Sequence, residues 1–288
     1  MANNSVTVLI HGTRLNPGKA ERIAAAVASV AYLRFSCKVL VLPMSTAFDM
    51  VSVLTGAKNK TNAIKTRGYS FDDSGIDALC RRVEQGSLTP ESFTDCCTSL
   101  ARTVNSYDVA GISKRADFGD YVARNAHLFE RLVKDASKVY NLVILVGDST
   151  EMEAIEKLQG IADTEVTIIT QGKKKDVFAR PDSIYCINDY DGSSVFNYKR
   201  MKEVYGIQSD KKLYSFPYNI RFKDSCRTES AADFFSTTVK PDPTDDNYVF
   251  IECVARLTSA IVGMEEPVIQ ERKFVSKDAR KRGLRHVI

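Results

Sequence analysis

Five short apolar runs, most of them without polar alternation, constrain the fold of this chain more than any other feature. They are Val6–Ile10, Val39–Leu42, Leu142–Val146, Glu165–Thr170 and Ser183–Ile187, all rich in Val, Ile and Leu. Runs of this kind suit strands covered on both faces, as in a parallel sheet. Tyr107–Ala110 and Leu213–Phe216 are weaker examples. Helical stretches separate them. Pro17–Tyr32 is Ala-rich and apolar nearly all round, which predicts a buried helix with proline near its first turn. Ser74–Glu84 stops before Gly86, and Thr89-Pro90 reads as an N-cap followed by an N1 proline. Asp120–Ala136 gathers Val122, His127, Leu128, Leu132 and Val133 largely on one face. Thr150 and Glu153 have capping-box spacing, Val195–Tyr205 ends at Gly206, and Asp246–Val262 carries a long apolar stripe. Strands alternating with helices predict a three-layer, doubly wound α/β fold with a mostly parallel sheet.

No repeat and no Pro- or Ser-rich linker divides the chain. The expected organisation is one α/β domain over residues 1–265, with a mostly helical insertion at about 56–100, and a basic tail over 266–288. A hydrophobic fraction of 44% and a charged fraction of 26% exclude disordered and collagen-like chains. No apolar run reaches the roughly 18–20 residues of a membrane span. The polar start Met1-Ala-Asn-Asn has no signal-peptide pattern, so a cytoplasmic location is expected. Seven cysteines without a Cys-x-x-Cys pair suit buried thiols better than a disulfide framework, and Cys96-Cys97 read as small buried hydrophobes. The net charge of +4 is uneven, because residues 271–288 carry +5 and the body −1. Residues 272–285 are therefore a candidate surface for DNA phosphates or an anionic membrane, against the plainer reading of a solvated tail.

The stretch Val6-Thr-Val-Leu-Ile-His-Gly-Thr-Arg-Leu-Asn-Pro-Gly-Lys-Ala-Glu21 runs strand, loop, Gly18-Lys19, helix. In that context backbone N–H groups and a helix N-terminus can hold phosphate oxygens while the lysine reaches the outer phosphates. His11, directly after the strand, could do acid–base chemistry in a cleft or simply pack. Asp242–Asn247 lacks the glycine and terminal glutamate of a calcium loop and reads as a capped helix start. No Gly-x-Ser-x-Gly or His-Glu-x-x-His pattern is present.

The first strand–loop–helix is followed in order by Phe48–Gly56, Gly75-Ile-Asp-Ala-Leu, Gly111-Ile-Ser-Lys-Arg-Ala-Asp-Phe118, Tyr140-Asn-Leu-Val-Ile, Ile187-Asn-Asp-Tyr-Asp191 and Phe216-Pro-Tyr-Asn219. In this order and spacing, residues 5–262 resemble the MinD/ParA-type P-loop ATPases, particularly those of pilus-assembly and conjugative systems. The resemblance implies a seven-stranded, mostly parallel sheet, an ATP site at the C-terminal strand ends, and a dimer formed across ATP. It places nucleotide contacts at Gly12, Arg14, Gly18, Lys19 and Ala20, with Arg14 at the family's signature lysine. Asn188 stands at its nucleobase-contacting asparagine, although Asn188 and Asp191 also fit turn formation.

Where the family has glycines, this chain has Leu15 and Asn16, and Ala20 replaces the hydroxyl residue that coordinates Mg²⁺. Pro43 and Ser45 occupy the family's Asp-x-Asp positions, and Val146 its Walker B aspartate. Hydrolysis depends on charge stabilisation around Mg²⁺ and an oriented water, and one lost group costs about 10²–10³ in rate. The expected protein is therefore a non-hydrolysing relative. It binds ATP or ADP weakly if at all, has no catalytic or metal-ligand residues, and serves as a scaffold or regulator of a pilus, secretion or conjugation apparatus with protein partners. Two alternatives stay open. One is a slow ATPase dimer using Asp49, Asp148 or Glu21, and the other an adaptor acting through residues 272–285.

Overall fold

The computed structural model describes residues 5–12, 20–56, 74–102, 105–172, 179–209, 212–228, 230–240 and 242–265. Arg14, Gly18, Lys19 and the basic segment 272–285 lie outside them.

All seven expected strands are present: β1 (Val6–His11), β2 (Val39–Pro43), β4 (Ser106–Ala110), β5 (Leu142–Gly147), β6 (Thr164–Thr170), β7 (Ile184–Tyr190) and β8 (Leu213–Pro217). An eighth, β3 (Cys97–Arg102), pairs antiparallel with β4 at one edge. The sheet order is β3-β4-β2-β5-β1-β6-β7-β8, and every other neighbouring pair is parallel. The seven-stranded sheet is thus corrected to eight strands, and the helical insertion at 56–100 contributes a strand at its end.

Helices cover both faces. On one lie α1 (Ala20–Phe35), α2 (Met50–Thr55), α9 (Ile220–Thr228), α10 (Ala231–Thr238) and α11 (Tyr248–Val262). On the other lie α3 (Gly75–Glu84), α4 (Pro90–Cys96), α5 (Phe118–Arg124), α6 (Ala126–Ala136) and α7 (Met152–Ile161). A smaller cluster packs Met201 of α8 (Tyr198–Tyr205) against Ile169, Ile187 and Leu213. Helix α1 sits between the sheet and α10 and α11, which is why its Ala24–Ala28 run is buried all round. Gly206 ends α8 at φ 68°, the left-handed C-terminal position its sequence predicts.

Three boundaries differ from expectation. The single helix over Asp120–Ala136 is two, broken at Asn125. The N-cap of α7 is Glu151 rather than Thr150, with no side-chain cap bond. Asp242 caps a turn through the Thr244 amide and hydroxyl, and the helix itself begins at Tyr248.

The two faces create a switch point. From β1 the chain passes through α1 on one face, and from β5 through α7 on the other. Since β1 and β5 are parallel neighbours, the strand order reverses at their C-terminal ends, beside His11-Gly12 and Gly147-Asp148.

Candidate functional site

The C-terminal strand edge brings together Gly12 after β1, Ala20 at the start of α1, Pro43–Ser45 after β2, Gly147–Ser149 after β5, and Asn188 near the end of β7. Of the predicted site residues, Gly12, Ala20 and Asn188 are described, and Gly12 and Ala20 are buried.

Asn188 is the most informative side chain. It is 2% exposed, yet neither its Oδ1 nor its Nδ2 has a hydrogen-bond partner among the described residues. It pairs in register with Thr170 and Phe216, on the sheet face it shares with Cys186. Directly after it Asp189 adopts φ 52° and the β7–β8 register shifts, a bulge that ends regular pairing and re-aims the strand end. Gln171 bonds Asp191 and Phe196 and so ties the following loop back to β6. Its register partner Phe216 belongs to an aromatic group, with its ring 5.1 Å from Phe250 and 6.0 Å from Phe222. A buried amide with both donor and acceptor unpaired costs about 1–3 kcal/mol, which is regained only by a partner offering the complementary pair.

The carboxylates near the β2 and β5 ends make local contacts. Asp148 accepts the Thr150 amide at 2.9 Å. Glu151 packs on α5 so closely that a Cβ on Gly119 would lie 2.7 Å from its Oε2. Burial lifts the Glu151 carboxyl to about 7, with repulsion from Asp148 adding to it, the nearby Ser45 hydroxyl partly offsetting it and Asp120 contributing last. Its folded-state value lies above the ordinary 4.5, so the stabilisation it gives is full below pH 4.5 and is lost as pH rises toward 7. Glu151→Gln is expected to remove that decline and to gain on the native chain between pH 5 and pH 8, read by urea unfolding at both. A parallel pH dependence in the two proteins would contradict the assignment.

Ala20 and Val146 offer no side-chain oxygen, nor does Pro43, and the Ser45 hydroxyl accepts from the Ala47 amide at 3.1 Å. Among the described residues no group of three or more His, Cys, Asp or Glu is arranged to hold a metal ion. Asp49 caps α2 through the Val51 and Ser52 amides.

A second polar group lies under β1 and was not anticipated. Glu165, 1% exposed, accepts from His11 Nε2 at 2.6 Å, Gln159 Nε2 at 2.6 Å, the Arg180 amide at 2.8 Å and the Ser183 hydroxyl. Burial alone would raise its carboxyl, but bonds from His11, Ser183 and Arg180 and the charge of His11 outweigh it and hold the group at about 2. His11, at 2% exposed, is sealed from solvent rather than open to a cleft. The signal in the sequence is a histidine and a glutamate interrupting otherwise apolar strands.

The seven cysteines are all free, and burial raises the thiols of Cys37, Cys80, Cys97, Cys186, Cys226 and Cys253, as suits packing residues. Among the described residues no helix is long and apolar enough to cross a membrane.

No protein-family model matches the chain, and no curated protein matches it in sequence. Solved structures do match in three dimensions. A ParA family ATPase from Chlorobium tepidum superposes with a TM-score of 0.63 at 13% identity, covering 89% of this chain and 98% of its own. MinD in the MinC:MinD cell division complex of Aquifex aeolicus gives 0.56 at 10% identity, with 92% and 98% covered. An McdA–ATP complex from Cyanothece gives 0.53 at 11% identity, with 92% and 99% covered. The eight-stranded sheet, its flanking helices and its switch point are those of the ParA/MinD P-loop ATPase fold.

Proposed function

We propose that this chain binds an adenine nucleotide at the C-terminal strand edge and does not turn it over. The observation that carries the reading is Asn188, a buried amide with an unpaired donor and acceptor at the end of β7. Adenine offers a matching acceptor and N6 donor on one edge, the pairing that asparagine makes with this base elsewhere. Gly12, Arg14, Gly18, Lys19 and Ala20 would take the phosphates, as the resemblance implies. Guanine presents acceptors at the corresponding edge, so ADP is favoured over GDP by about 1–3 kcal/mol.

The lack of turnover follows from the residues themselves. Neither the Ala20 nor the Val146 side chain can hold Mg²⁺, and Asp148 and Glu151 are committed to local bonds and packing. A nucleotide-holding protein of this fold, without a hydrolytic cycle, serves as a scaffold or regulatory partner within a larger assembly. On the resemblance, that assembly is a pilus, secretion or conjugation apparatus.

The test is thermal melting with ADP and, separately, with Mg-ADP. ADP at 100 times its Kd adds about 2.7 kcal/mol, and the same gain is expected with and without Mg²⁺. Phosphate release from Mg-ATP stays at background. Release that disappears in Lys19→Ala would overturn the non-hydrolysing reading, and an unchanged melting temperature would overturn nucleotide binding.

A further inference from the structure

The two short ring contacts of His11 are both with acceptors, and the Thr167 hydroxyl stands 3.4 Å from Nε2. Nε2 lies 2.6 Å from Glu165 Oε1, and Nδ1 lies 3.0 Å from the carbonyl oxygen of Gly12. The ring orientation is fixed by the first contact, since a flipped ring would press a carbon to 2.6 Å of the carboxylate. A carbonyl has no hydrogen to give, so Nδ1 carries one. Glu165 already receives hydrogens from Gln159, Ser183 and the Arg180 amide, and the Thr167 hydroxyl stands 3.4 Å away. Surrounded by donors, its carboxylate is the acceptor for Nε2 as well, and the second ring hydrogen stays on nitrogen. The other charged groups nearby are Arg180, with Nε 3.7 Å from Glu165, and Asp182, 3.3 Å from that same Nε.

We propose that His11 is a positioning residue, a buried imidazolium braced by Glu165 whose Nδ1–H fixes the carbonyl of Gly12 at the opening of the candidate site. The arrangement orients the backbone where β1 ends, while the Thr167 and Gln159 side chains keep the carboxylate in place. Its consequence for affinity rests on the nucleotide reading above; the hydrogen positions and the hold on Gly12 do not.

The test uses the full chain with ¹⁵N-labelled histidine at pH 7, and only His11, His127 and His286 need to be told apart. His11, assigned by its absence in His11→Gln, is expected to show both ring nitrogens protonated. An unprotonated Nδ1 overturns the proposal. In Glu165→Gln the brace loses its charge. There the Gly12 amide is expected to exchange on the order of 10-fold faster and the Kd for ADP to rise by a similar factor, as when a supporting residue is lost behind a ligand. Exchange in β7 and β8 stays as in the native chain. Unchanged exchange at Gly12 also overturns the proposal. If the native chain binds no ADP, the nucleotide reading falls by itself, and ring protonation and Gly12 exchange still decide the role of His11. If Glu165→Gln does not fold, the spectrum of the native chain decides it.

Discussion

Glu165→Leu is expected to destabilise the chain by about 3–5 kcal/mol at pH 7, among the largest costs of a single substitution. Leucine matches the volume but leaves the His11 ring, the Gln159 amide, the Ser183 hydroxyl and the Arg180 N–H facing an apolar surface. The pH dependence identifies the mechanism. The Glu165 carboxyl is held at about 2, below its ordinary 4.5, so its contribution is present above pH 4.5 and is lost as pH falls toward 2. A shift of that size corresponds to about 3 kcal/mol. The gap between native and variant proteins should therefore narrow on acidification. Urea unfolding at pH 7 and pH 3 measures it. A deficit that does not change with pH would mean that leucine fails for reasons of shape alone.

Asn188→Leu is expected to act in the opposite direction. Removing an amide whose two polar atoms lack partners should raise the stability of the free protein by about 1–3 kcal/mol, provided the surrounding core accepts the methyl groups. The same substitution removes the base contact, so the variant should melt higher than the native chain alone and no longer respond to ADP. A polar residue that weakens the free protein and serves only when occupied is hard to explain structurally. If Asn188→Leu destabilises the free chain instead, the amide has a structural partner and its assignment to the base is wrong.

The core strands were readable because burial on both faces demands continuous apolar runs, as in Leu142–Val146, which is fully buried. Strand β3 was not readable. Its sequence Cys-Thr-Ser-Leu-Ala-Arg sits at the sheet edge, where one-sided pairing requires no apolar run. Helices α9 and α10 were missed for a related reason. They are short and rich in Ser, Thr and charge, and what holds them is the packing of Phe222, Phe234 and Phe235 on one another and on Phe250. Resemblance singled out Asn188 but could not show that its amide is unpaired. His11 and Glu165 each stand out as polar residues in apolar strands. Their pairing joins positions 154 residues apart and becomes visible only when β1 and β6 lie side by side.

Calorimetric titration of ADP into the native chain and into Asn188→Leu, with and without Mg²⁺, tests the central claim most directly. The expected result is one site on the native chain, a Kd that changes by less than about twofold when Mg²⁺ is withdrawn, and no binding heat with the variant. Absence of binding to the native chain, equal binding by the variant, or a tightening of about tenfold or more on adding Mg²⁺ would contradict it.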